Sequence, residues 1–122
     1  MDLESFAYLQ LPGGFILRGI EIEDAPMLDA IGRPALAKAV IQGNTIDITL
    51  AAAQVSGEMS VSVYHELLEA MTVGHAHPPD AVSDLNEAGF EAAAIEAHRR
   101  HGLANPASVI TFLHGYGFPE CH

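Results

Sequence analysis

The stretch "VSVYHELLEAMTVGHAH", Val61 to His77, holds the residues of this chain best suited to chemistry. His65 and Glu69 are i and i+4, so on a helix they stack one turn apart and reach a single point in space. Glu66 is one step round the wheel from His65. An imidazole nitrogen and a carboxylate oxygen that converge are ligands for a divalent cation, and a carboxylate beside them can move a proton. On a helical wheel, Ser62, His65, Glu66, Glu69 and Thr72 fall on one side, with Val73 the apolar residue among them. Val63, Tyr64, Leu67, Leu68, Ala70 and Met71 cover the rest. No Lys or Arg on this helix compensates the carboxylates, which repel one another unless water or a cation intervenes. A polar arc is also what any half-buried helix turns to water, so the same residues read equally as a solvated face.

The elements around this segment must position it. The helix is expected over Met59 to Val73, stopped by Gly74. Ahead of it "TIDITLA" alternates Ile46, Ile48 and Leu50 with Thr45, Asp47 and Thr49, which predicts a strand with one buried face, at an edge or partly exposed. "AAQVSGEMS" connects the two. Earlier, "GGFILRGIEIED" predicts a strand from Phe15 to Ile22, entered through the turn "PGG". Between the strands, "APMLDAIGRPALAKAVIQGN" predicts a short helix from Pro26 to Ile31, then a second from Ala35 to Ile41 that "GN" ends.

Beyond the central helix, "HAHPPDAVSD" is a proline-containing loop, helical just after the prolines at most. Ser83 or Asp84 is the expected cap of the helix "LNEAGFEAAAIEAHRRHG", which carries Glu87 and ends in basic residues and a Gly. Asn105 caps a last helix, Pro106 to His114. The fold class is therefore α+β, one domain over residues 1–122, with a short sheet first and helices in the C-terminal half.

Composition narrows the function classes. Of 122 residues, 49% are hydrophobic and 17% charged, enough apolar matter for a sizeable core. Sixteen Asp and Glu against five Lys and Arg give a net charge of −11. No basic patch exists to neutralise phosphates, and an anionic membrane would repel the chain, so no nucleic acid and no membrane is expected as a partner. The acidic N-terminus has no signal-peptide pattern, and no apolar run is long enough for a membrane span, which predicts a cytoplasmic protein. The single cysteine, Cys121, forms no intrachain disulfide and reads as a stray thiol that with His122 binds metal adventitiously.

"SVYHELLEAM" resembles the active-site helix of zincin metallopeptidases, whose motif is H-E-x-x-H. The strand "TIDITLA" is similar to the edge strand against which those enzymes lay an extended peptide. "LNEAGFE" is similar to the gluzincin helix on which a Glu after an Asn supplies the third ligand. The resemblance covers Thr45 to Glu91. It implies that His65 is a metal ligand, that Glu66 is the general base and that Glu87 is the distal carboxylate ligand. The motif's second histidine is replaced by Glu69, so the implied set is His65, Glu69 and Glu87. Two carboxylates beside one imidazole select less strongly for Zn2+ and suit Mn2+ or Fe2+ as well. They also make a bound water less acidic than two neutral imidazoles do.

Two functions follow. One is a small metal-dependent, peptidase-like hydrolase that uses Glu66 as base. The other is a non-catalytic zincin-like binding or regulatory domain, without metal, whose ligand is a peptide or protein along the Thr45–Leu50 strand. A chain this short leaves little room for a deep cleft, so a homo-oligomer or a partner completing the site is in keeping with either. His75 and His77 form an H-x-H pair that an extended segment would turn into a chelate, or else they stand in an exposed loop. His98, His101 and His114 complement helix C-termini.

Overall fold

The alternation of "TIDITLA" becomes the middle of a sheet. In a computed structural model, which describes residues 1–28 and 31–118, the chain opens with a 3₁₀ turn at Leu3–Phe6. Then follow β1 (Leu9–Gln10), a second 3₁₀ turn (Pro12–Gly14), β2 (Ile16–Glu23), β3 (Ala37–Gln42) and β4 (Thr45–Ala51). The helices are α1 (Ser56–Gly74), α2 (Asp80–Ser83), α3 (Glu87–His101) and α4 (Pro106–Gly115). The expected α+β class is what is found: a four-stranded mixed sheet followed by helices.

The strand order is β1-β2-β4-β3. β2 runs parallel to β4, and β3 forms an antiparallel hairpin with it, so β4 is paired on both sides. The expectation that Thr45–Leu50 lies at an edge is therefore corrected. Its polar residues Thr45, Asp47 and Thr49 are half-exposed because among the described residues no helix covers the outer face of the sheet, not because a neighbouring strand is missing. On that face the Arg18 guanidinium donates to both Asp47 carboxylate oxygens at 2.9 and 2.7 Å. The edge strands are β3 and the two-residue β1.

β3 also overturns the helix expected over Ala35 to Ile41. Ala, Lys and Gln favour a helix, yet Ala37, Ala39 and Ile41 are half-buried while Lys38, Val40 and Gln42 are exposed, a period of two. A six-residue segment is too short to hold a helix alone, and the ladder to β4 decides its conformation. The "GN" that reads as a helix stop is the hairpin loop, with Gln42 opposite Thr45 and a positive φ of 61° at Gly43 but not at Asn44, the pattern of a type II′ turn. The helix expected over Pro26 to Ile31 is corrected too, since Leu28 bridges to Pro34 as extended backbone. Asp29 and Ala30 lie outside the described residues, as do Cys121 and His122.

α1 carries the core and the candidate chemistry on opposite sides. Val63, Tyr64, Leu67, Leu68 and Met71 are fully buried against Leu17, Ile46, Ile48 and Leu50 of the sheet and Phe90, Ala94, Val109 and Leu113 of α3 and α4. Each such Leu or Ile stabilises the fold by roughly 1.5–3 kcal/mol relative to exposure. α1 begins earlier than expected, at Ser56, where the Glu58 carboxylate accepts the Val55 N–H at 3.0 Å. α3 is capped by Asn86, which accepts from the Gly89 N–H at 2.9 Å, and not by Ser83 or Asp84, because residues 80–83 form their own short turn of helix. Asn105 caps α4 as expected, accepting from the Ser108 N–H at 2.9 Å. Among the described residues no helix is long and apolar enough to cross a membrane.

Candidate functional site

The polar arc of α1 faces α3 across the helix pair. A cleft of about 980 Å³ opens there, walled by β3 and the segment before it on one side and by Glu87, Ala88 and Glu91 of α3 on the other. Ser62, His65, Glu66 and Glu69 form its floor. The β3 wall is held to α1 by Gln54, which is 7% exposed. Its amide nitrogen donates to the Leu36 carbonyl at 2.7 Å and the Ala51 carbonyl at 3.1 Å, and its amide oxygen accepts from the Ser62 hydroxyl at 2.9 Å.

His65 is the centre of the cleft and has carboxylates at both ring nitrogens. Nε2 lies 3.1 Å from Glu87 Oε2 and 3.5 Å from Glu69 Oε2, and Nδ1 lies 3.0 Å from Glu91 Oε1. The expected set of His65, Glu69 and Glu87 is thus brought together, with one ligand atom from each all within 4.8 Å of one another. Glu66 lines the same cleft one residue along. Glu91 is the participant that sequence reasoning missed. The signal was its place at i+4 from Glu87, on the same face of α3.

The electrostatics follow from crowding carboxyls around one imidazole. Burial opposes a charged His65, but the Glu91 hydrogen bond and the charges of Glu66, Glu87 and Glu69 outweigh it and raise its pKa above the ordinary value. Burial pushes Glu66 up, with the Glu87 charge adding and His65 opposing. Glu69 is pushed up to about 7, first by burial, then by its carboxyl contact with Glu87 and the charges of Glu87 and Glu66. Glu87 is held below the usual range, first by its contact with Glu69 and then, against burial, by His65. Glu69 and Glu87 therefore share a proton near neutrality and titrate as a pair. Glu69 Oε2 is shut off from solvent with no hydrogen-bond donor.

His65, Glu69 and Glu87 could hold a divalent cation. Metal–ligand bonds of roughly 2.0–2.2 Å set neighbouring ligand atoms about 3–3.5 Å apart, and the Nε2 distances to Glu87 and Glu69 are 3.1 and 3.5 Å. The orphaned Glu69 oxygen would gain a partner and the shared proton would leave. An Nδ1–H donated to Glu91 would leave Nε2 to ligate.

The other histidines do different work. His75 turns inward, stacked on Phe15 at 4.9 Å between centroids and packed on Phe118 at 5.0 Å, while its Nδ1–H donates to the Met71 carbonyl at 2.6 Å and closes α1. Its Nε2 is buried without a partner because Gly13 stands against it. His77 is exposed, so the pair makes no chelate. His98, expected only to complement the helix end, has its Nδ1 2.9 Å from the Oγ of buried Ser60, which also accepts the Ala104 N–H at 2.8 Å.

No family model, curated protein or solved structure matches this chain.

Proposed function

We propose that this protein binds a divalent cation, Zn2+, Mn2+ or Fe2+, through His65, Glu69 and Glu87, and uses it in hydrolysis. The observation that carries the reading is the convergence of one imidazole nitrogen and two carboxylate oxygens within 4.8 Å on the floor of an open cleft. The likeness of "HELLE" to the zincin motif supports it, with Glu69 standing where that motif has its second histidine. When bound, the cation would polarise a carbonyl and acidify a water. Glu66, half-buried in the same cleft and raised by burial, would accept a proton from that water and return it to the leaving group. Glu91 would hold the His65 ring. With one cysteine in the chain, the reading carries no need of an oxidising compartment and fits the cytoplasm.

A second reading rests on a specific observation. Both His65 nitrogens already meet carboxylates, at 3.0 and 3.1 Å, so a protonated imidazole would join α1 to α3 with no metal. The protein is then a non-catalytic binding or regulatory domain.

Elemental mass spectrometry of untagged protein separates the two. The metal reading expects about one ion per chain, lost in both His65→Ala and Glu69→Ala, with hydrolysis abolished in Glu66→Gln while metal is retained. No uptake after incubation with excess Zn2+, Mn2+ or Fe2+ would overturn it and leave the structural ion cluster.

A further inference from the structure

We propose that the open edge of β3 docks an extended basic peptide segment, with the side chain opposite Ala39 entering the cleft among Glu66, Glu69, Glu87 and Glu91. The rungs of the β3–β4 ladder set which groups are free. The Ala51 N–H donates to the Leu36 carbonyl at 2.8 Å, so Leu36 and Ala51 form a hydrogen-bonded rung. Such rungs alternate in an antiparallel pair. With Ala37 opposite Leu50 and Gln42 opposite Thr45, residues Lys38, Val40 and Gln42 spend their main-chain groups on β4. Ala37, Ala39 and Ile41 turn theirs outward, and among the described residues no strand pairs with that edge.

Of these, Ala37 and Ala39 line the cleft, while Ile41 packs on the core near Gly74. Residues directly opposite in a sheet share a face, so an added strand would send the side chains facing Ala37 and Ala39 toward the polar arc of α1. Alanine at both positions leaves that space open, where a large residue would fill it. Charge selects the occupant. Four glutamates line the cleft against His65, Arg33 and Lys38, and Lys38 projects to the outer face of the sheet by strand alternation. The chain's net charge of −11 draws cationic segments and repels a second copy of itself. Docking stands on this edge and cleft alone; that the docked segment is also the substrate rests on the hydrolase reading above.

The test uses 15N-labelled full-length protein and blocked hexapeptides of alternating Thr and Val, carrying Arg or Glu at one central position. The Arg peptide should shift the amide resonances of Ala37, Ala39 and Ile41 at about millimolar concentration and bind about tenfold tighter than the Glu peptide. Ala39→Pro removes an outward N–H without touching a rung to β4, and should abolish binding with the fold intact. Should that variant fail to fold, Glu66→Gln combined with Glu91→Gln must erase the Arg preference. Equal affinity for the two peptides, no binding, or binding insensitive to these changes overturns the docking. Metal content measured on the same samples keeps the readings apart. A metal-free protein that docks the Arg peptide removes only the hydrolase, and a metal-loaded protein that does not removes only the docking. Loading should also reduce the preference, since the ion neutralises two of the four carboxylates.

Discussion

Glu91 Oε1 lies 3.0 Å from the Nδ1 of His65, on the opposite edge of the ring from Glu87. One helix, α3, thus grips both nitrogens of a residue on α1, at positions a turn apart. If Nε2 is a ligand atom, Glu91 sets its tautomer and strengthens it as a donor. Glu91→Gln should lower metal affinity about 10–100-fold with the circular dichroism spectrum unchanged. Titration with Zn2+ and Mn2+ checks this, and an unchanged affinity would remove Glu91 from the site.

The raised Glu69 and His65 make the metal-free protein's stability fall with rising pH. A carboxyl that titrates at about 7 when folded and near its ordinary value when unfolded stabilises the fold while protonated. That contribution is full below the unfolded value and lost as pH climbs through 7. His65, also raised, acts in the same direction above its ordinary value. Glu69→Gln should flatten the trend and make the variant more stable than wild type at pH 8 by about 1 kcal/mol, a figure reduced for solvent screening. Metal-loaded protein should show the opposite slope, since ligation needs the carboxylates ionised. Urea unfolding from pH 5 to 8, with and without metal, reads both.

Gln54 joins the Leu36 and Ala51 carbonyls to the Ser62 hydroxyl, and truncating it removes all three bonds from a buried position. Gln54→Ala should cost about 1–3 kcal/mol in urea unfolding. It should also increase amide exchange at Leu36 and Ala37, where β3 enters the cleft wall. A loss below about 0.5 kcal/mol would mean that the network is replaced by water.

Gly13 and Gly14 form a matched pair for testing close approach. Both have positive φ, 75° and 83°, but a Cβ at Gly13 would stand 2.5 Å from His75 Nε2, and at Gly14 nothing lies within 4 Å. Gly14→Ala should cost only the backbone strain, about 1–2 kcal/mol. Gly13→Ala should cost more, because the His75 ring, held by Phe15 and Phe118, must shift. Thermal unfolding of the two variants decides, and equal losses would show that His75 yields freely.

What the sequence made legible was periodicity that packing then used. Ile46, Ile48 and Leu50 are all buried, and the wheel of α1 divides as its residue types demand. His65, Glu69 and Glu87 come together because i,i+4 spacing fixes two of them and packing of α3 beside α1 supplies the third. What stayed hidden was decided by pairing and packing outside each segment. "AKAVIQ" has helix-favouring letters and becomes a strand only because β4 is there to pair with it. Whether "TIDITLA" is an edge or an interior strand depends on β2, far back in the sequence. The two-residue loop Gly43–Asn44 spells a hairpin only when the segment before it is a strand. Glu91 shares a face with Glu87 by i,i+4 spacing, but that this face meets His65 depends on the rotation of α3, which no local pattern encodes.

The division of α1 into a core side and a cleft side limits how this protein can change by insertion and deletion. One residue added between Ser62 and Glu69 would turn everything beyond it by about 100°. Glutamates would swing into the apolar interior and leucines into the cleft. The loops on either side carry no such phase. Length variants should therefore be viable at the exposed residues 76–77 beyond the helix, while within it the residue count is as constrained as the residues themselves.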